Sequence, residues 1–183
     1  AGGNVAVGIE SLFLTTTGAN NTALGTCSLR ANTTGTENTA VGQSALLNNT
    51  TCSSNTAFGS AALCGNGTIS GGNNTAVGAL ALRCITSGSE NTAVGYYAGL
   101  KNSTATDNSF FGTCAGHLTT TGVSNVAMGK FSLCANTTAA ENTAVGRSAL
   151  RATTTGTGRN TAIGKDALNS VTTGHSNVGA GYD

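Results

Sequence analysis

Few side chains in this chain of 183 residues are able to do chemistry. It holds seven Asp and Glu, two His and six Cys. General acid–base catalysis needs carboxylates or a base converging on one bond. Here the acids scatter, except that Glu37, Glu90, Asp107 and Glu141 fall at one recurring place. That pattern predicts an acidic stripe that is solvated and binds cations weakly at most. No Cys-x-x-Cys occurs, and His117 and His175 stand far from any cysteine pair, so no metal site is expected. Neither catalysis nor a cofactor is expected.

Hydroxyls and amides are abundant instead. Sequons of the Asn-x-Thr type begin at Asn20, Asn32, Asn48, Asn49, Asn66, Asn73, Asn102 and Asn136. Thr or Ser recurs at Thr16, Thr33, Thr50, Thr86, Ser103, Thr120, Thr137, Thr154 and Thr172. Ranked Thr on a flat face suits ice binding. A column of sequons suits a hydrated, glycosylated coat.

These residues recur because the chain is a repeat. Asn-Thr-Ala-Val-Gly stands at 38–42, 91–95 and 142–146, with variants elsewhere. Its leading Asn falls at 4, 21, 38, 55, 74, 91, 108, 125, 142, 160 and 177, a spacing of 17 in eight of ten steps. Each position is numbered from that Asn. Position 5 is always Gly, position 4 is always apolar, and position 9 is Leu except at Gly99 and Gly116. Each exception is followed by a Leu, Leu100 or Leu118, which suggests a shifted apolar group.

Seventeen residues are too few for a helix pair, and Gly with β-branched residues disfavours helix. The expected fold is an all-β parallel solenoid, a β-roll of about ten coils, as one domain over 1–183. Strands are expected at positions 1–4 and 6–9, with a left-handed Gly bend between them. At a strand spacing of roughly 4.8 Å the rod is on the order of 50 Å long. Asn21, Asn38, Asn55, Asn74, Asn91, Asn108, Asn125, Asn142 and Asn160 should stack as an amide ladder. Position 4 is expected inward, with position 3, almost always Ala, as an outward stripe able to seat another chain.

Bulk composition agrees with a narrow core. Charged residues are 8%, aromatics 4%, and Pro and Trp are absent, against about 25% charge in ordinary domains. A net charge of +1 without a basic cluster provides no footprint for nucleic acid. No apolar run is long enough to span a membrane. The even cysteine count suggests an oxidising compartment. Neighbouring coils then favour Cys27 with Cys52, Cys64 with Cys84, and Cys114 with Cys134 as disulfide staples.

Irregularities are local. Two extra residues around 65–72 should bulge as a loop, and one lies near Gly158. Tyr96, Tyr97, Phe110 and Phe111 cluster, with Phe110 in place of the usual Ala. Such a cluster implies local repacking or a contact patch. The first and last coils read like interior ones, which suggests end-to-end stacking into a filament, or a fragment of a longer rod. The missing Met suggests a processed, secreted chain.

Asn-Thr-Ala-Val-Gly-x-x-Ala-Leu with its Thr-Thr-Gly spacer resembles the head repeats of YadA-like trimeric autotransporter adhesins, and similar repeats of phage tail fibres. The resemblance covers nearly all of 4–183. It implies a left-handed β-roll, often trimeric, in secreted fibres; the period of 17 and the six Cys depart from the usual pattern. The reading that follows is a structural subunit of an extracellular filament or surface fibre. Its partner is itself, end to end or laterally, with covalent glycans. The alternative is an ice-binding or carbohydrate-binding module using the Thr-ranked face.

Overall fold

A computed structural model describes residues 2–182; Ala1 and Asp183, the ends of the expected domain, lie outside the described residues. Eleven three-residue strands recur along the chain: β1 Val5–Val7, β2 Thr22–Leu24, β3 Thr39–Val41, β4 Thr56–Phe58, β5 Thr75–Val77, β6 Thr92–Val94, β7 Ser109–Phe111, β8 Val126–Met128, β9 Thr143–Val145, β10 Thr161–Ile163 and β11 Val178–Ala180. All pair in parallel and in sequence order as one sheet. Like position lies on like position, as in Thr92↔Ser109 and Ala93↔Phe110. The fold is a parallel β-solenoid, and among the described residues no helix forms.

Each coil holds one strand, at positions 2–4, where two were expected. Positions 6–9 form turns instead. The backbone enters the left-handed region at non-glycine positions 7 and 9, as at Ser44 (φ 56) and Leu46 (φ 51), and again at 17, as at Glu37 (φ 59). Alternating left-handed residues curl the chain too tightly for a second strand. The Gly bend at position 5 holds: Gly95 has φ +136, and a Cβ there would lie 2.7 Å from the Gly112 carbonyl of the next coil. Only glycine tolerates both the angle and the approach.

The larger correction concerns which side of the strand is inside. Position 3 is the buried one: Ala23, Ala40, Ala57, Ala76, Ala93, Phe110, Ala127, Ala144 and Ala162 are fully buried. Position 4 faces outward, with Phe58 56% and Ile163 51% exposed. Facing the strand across the core are the small residue at position 8 and Leu at position 9, such as Ala45 and Leu46, both buried. Between the strand and the turn that faces it, a coil of 17 residues leaves room for one large side chain per layer. Leu takes that room, so the strand contributes Ala.

Coils 6 and 7 obey the same volume rule in reverse. Gly99 and Gly116 remove the two Leu side chains, and Phe110 turns inward to fill the space. A Cβ at Gly116 would lie 2.5 Å from the Phe110 ring. The apolar group does not shift to the following Leu, since Leu118 is exposed.

Interior amides tie the layers together. Asn91 is fully buried. Its Nδ2 donates to Asn74 Oδ1 (3.1 Å), Ser89 O (3.0 Å) and Ala105 O (2.8 Å). Its Oδ1 accepts from Asn108 N–H (3.2 Å), Asn108 Nδ2 (3.1 Å) and Asn102 Nδ2 (3.1 Å). Equivalent bonds run from Asn4 and Asn21 to Asn160 and Asn177, except that Asn55 reaches Asn38 Oδ1 through its backbone N–H alone. Asn91→Ala strands several buried partners at once and is expected to cost about 2–3 kcal/mol. Urea unfolding against the parent chain checks this; a loss below about 1 kcal/mol contradicts the ladder's role.

Candidate functional site: the outward face of the sheet

The outward face is built from two ranks. Position 2 contributes Thr22, Thr39, Thr56, Thr75, Thr92, Ser109, Thr143 and Thr161, with Val at β1, β8 and β11. Position 4 contributes Val7, Leu24, Val41, Phe58, Val77, Val94, Phe111, Met128, Val145 and Ile163. Strand alternation puts both ranks on one side, about 7 Å apart, with successive coils roughly 4.8 Å apart. No charged residue lies in either rank. A continuous apolar stripe of this length is unusual on a protein surface.

Charges flank the face instead. Position 17 leads into each strand along one edge and carries exposed Glu37, Glu90, Asp107 and Glu141. Position 6, just past the Gly bend, forms the other edge, with Gln43, Tyr96, Thr113 and Arg147 at the same four levels. The acidic stripe is therefore a border of the apolar face. Arg159 joins it near its end through an ion pair to Glu141 at 2.9 Å.

The Thr-rich corner is a coil-to-coil hydrogen-bond column. Thr33 Oγ1 donates to Thr50 O (3.0 Å), Thr86 Oγ1 to Ser103 O (3.1 Å) and Thr137 Oγ1 to Thr154 O (2.7 Å). Hydroxyls so engaged have no free donor to offer a lattice of water.

The expected column of sequons does not stand on the surface of the coil. Asn32, Asn49, Asn102 and Asn136 are fully buried. Their side chains point into the coil because position 12 faces the core, and their Nδ2 groups are spent on Gly35 O, Cys52 O, Asn91 Oδ1 and Ala139 O. Asn66 departs from this column: the insertion throws it outward and Ile69 takes the core place, bridging Asn49. Asn20 and Asn73 are exposed at position 17, and Asn48 is half-buried.

The three disulfides are also overturned, because all six cysteines are free thiols. In-register stacking joins residues of equal position, and none of the three pairs shares one. Cys27 and Cys52 occupy positions 7 and 15, Cys64 and Cys84 positions 10 and 11, Cys114 and Cys134 positions 7 and 10. The Gly65 N–H donates to Arg83 O at 2.9 Å, which aligns Cys64 with Arg83 rather than with Cys84. Burial pushes the Cys52, Cys64, Cys114 and Cys134 thiols above their ordinary range; Arg83 partly opposes this at Cys64 and Lys130 at Cys114. A raised pKa disfavours the thiolate, the reactive form. A thiol reagent is expected to count six groups after unfolding. In the native rod, buried Cys52 and Cys84 should react at least about tenfold more slowly than Cys27.

Among the described residues no three His, Cys, Asp or Glu side chains gather closely enough to hold a metal ion. Nor is there a helix long and apolar enough to cross a membrane. A shallow groove of about 300 Å³ between Leu118, Cys134, Ala135, Arg151, Ala152 and Asn169 is mostly apolar. It lacks the convergent polar groups that a specific small-molecule site uses.

Fold and site together define a β-solenoid repeat protein with an uncharged, ranked outward sheet face. No family model matches this chain, and neither does any curated protein or solved structure with which it was compared.

Proposed function

We propose that the protein is a structural subunit of an extracellular fibre, whose copies associate side by side through the outward sheet face. The observation that carries this reading is the apolar position-4 rank, which faces outward along the whole sheet, exposed at Leu24, Phe58, Phe111, Met128 and Ile163 and half-buried at Val41, Val77, Val94 and Val145. A face on the order of 50 Å by 12 Å buries on the order of 600 Å² per copy, near the roughly 800 Å² of a standard interface. Uniform coil spacing lets a second copy mesh layer by layer. The resemblance of the repeat to fibre-forming head repeats points the same way.

The borders favour one direction of pairing. In a parallel, in-register pair the position-17 edge of one copy lies over the position-6 edge of the other. Glu37 then meets Gln43, Glu90 meets Tyr96, Asp107 meets Thr113 and Glu141 meets Arg147. Each carboxylate faces a hydrogen-bond donor. One like-charged pair, Arg159 with Lys165, opposes them. In a fully overlapped antiparallel pair Glu37 falls over Glu141, and Glu90 over its own copy, which repels. The same edge contact closes a ring of two or of three copies.

Ice binding is less well supported. Its ranks should be level, whereas position 4 mixes Val with the taller Leu24, Phe58, Phe111 and Met128.

Light scattering on the purified rod should give an integral multiple of the 17.8 kDa chain. In an Arg147→Lys variant, carbodiimide should join Glu141 of one copy to position 147 of another. A monomer at all concentrations defeats the reading, and an assembly that yields no such adduct defeats the parallel direction.

A further inference from the structure

Among the described residues, the excursion in coil 4 is the one place where an amide of the position-12 column leaves the core for open solvent. Asn66, Gly67 and Thr68 are exposed. Gly65 turns the chain out with φ +76, and nothing lies within 4 Å of the Cβ position of Gly67. Ile69 returns to the core, fully buried.

We propose that Asn66 is the single N-glycan acceptor of the folded rod. The inference rests on the extracellular reading above. In the transfer, Asn66 Nδ2 bonds C1 of a sugar carried on a lipid diphosphate. The diphosphate leaves with the bonding pair, and the nitrogen's proton passes to a base on the transferase. The acceptor must therefore present a free Nδ2 and a hydroxyl two residues on, both reachable at once. Asn66 and Thr68 do so.

The other seven sequons fail for stated reasons. Asn32, Asn49, Asn102 and Asn136 are buried with Nδ2 engaged. Asn48 Nδ2 donates to Gly65 O at 3.1 Å. Asn20 and Asn73 are exposed, but their middle residues, Asn21 and Asn74, are buried ladder amides. Their hydroxyls belong to Thr22 and Thr75, inside β2 and β5. Presenting either sequon would pull a strand from the sheet. A sugar at either would also stand on the border of the contact face, whereas Asn66 leaves from the return path of its coil.

The test is secretion of the whole chain from a eukaryotic host, behind a heterologous signal. Soluble folded rod is digested with a glycan-releasing amidase in heavy-oxygen water and mapped by mass spectrometry. A digest without amidase is subtracted, because Asn66-Gly67 also deamidates spontaneously. Heavy label is expected at Asn66 and at none of the other seven, and Asn66→Gln should remove the glycan mass without loss of secretion. An unlabelled Asn66, or label at any other sequon, overturns the proposal. Light scattering on the same material separates the two readings. A glycosylated monomer defeats the fibre and keeps the acceptor, and an unglycosylated oligomer does the reverse.

Discussion

The double variant Phe58→Lys with Met128→Lys is expected to run as a monomer where the parent chain runs as an assembly. Both side chains stand outward at position 4, 56% and 45% exposed in the single rod. Neither belongs to the buried cluster, so the monomer should keep its fold and its circular dichroism. In a parallel pair each new ammonium lies over its own copy at the same level. Like charges brought together at an interface cost several kcal/mol. About 3 kcal/mol is already a factor of more than 100 in dissociation constant. Sedimentation at graded concentrations reads that factor. An unchanged assembly would show that copies meet through another surface. The matched control places lysine at position 14, as Thr121→Lys, which is exposed away from the sheet; it should leave the assembly intact.

Phe110→Ala should be the most damaging single truncation in the core. It is the largest fully buried side chain, and it fills the space two Leu residues occupy elsewhere. Truncation of a buried Phe costs about 3–5 kcal/mol. Adding leucine at both gaps, in Gly99→Leu, Gly116→Leu, Phe110→Ala, restores the arrangement of the other coils and should recover most of the loss. Both glycines already have the left-handed φ, +57 and +58, that Leu adopts at position 9 in other coils. Gly116→Leu alone, with Phe110 present, should destabilise by overpacking, about 1–3 kcal/mol. Thermal and urea unfolding of the four chains tests this. Failure of the triple variant to recover would mean that Phe110 is held by more than volume.

Much of the architecture is readable without coordinates. A strict recurrence of Asn and Gly at 17-residue intervals demands a coil, and buried amides that stack demand in-register layers. The Gly bend follows from its chemistry, since only glycine combines a positive φ with a close backbone neighbour. The insertion before Ile69 is visible as a broken count. By contrast, the left-handed turns at positions 7 and 9 carry no local signal. Leu46 and Leu82 adopt φ 51 and 48 although Leu has no intrinsic preference for that region. Burial of the side chain and hydrogen bonds to the next coil, such as Leu46 N–H to Ala62 O at 3.1 Å, outweigh the local cost.

The sequence by itself determined the period, the stacking and the amide ladder, because each is set by residue type at a fixed spacing. Only the tertiary structure decided which face of the strand lies inside. Alternation fixes two opposite faces but not their sense, and a slip of one residue exchanges them. Hydrophobicity favoured Val, Leu and Phe at position 4 for the core. Volume decided otherwise: behind the sheet Leu at position 9 already fills the layer wherever it is present, so Ala faces it and the larger residues of position 4 stand outward. The cysteines and the sequons turn on the same point, since equal position number, rather than nearness along the chain, decides what touches and what is buried.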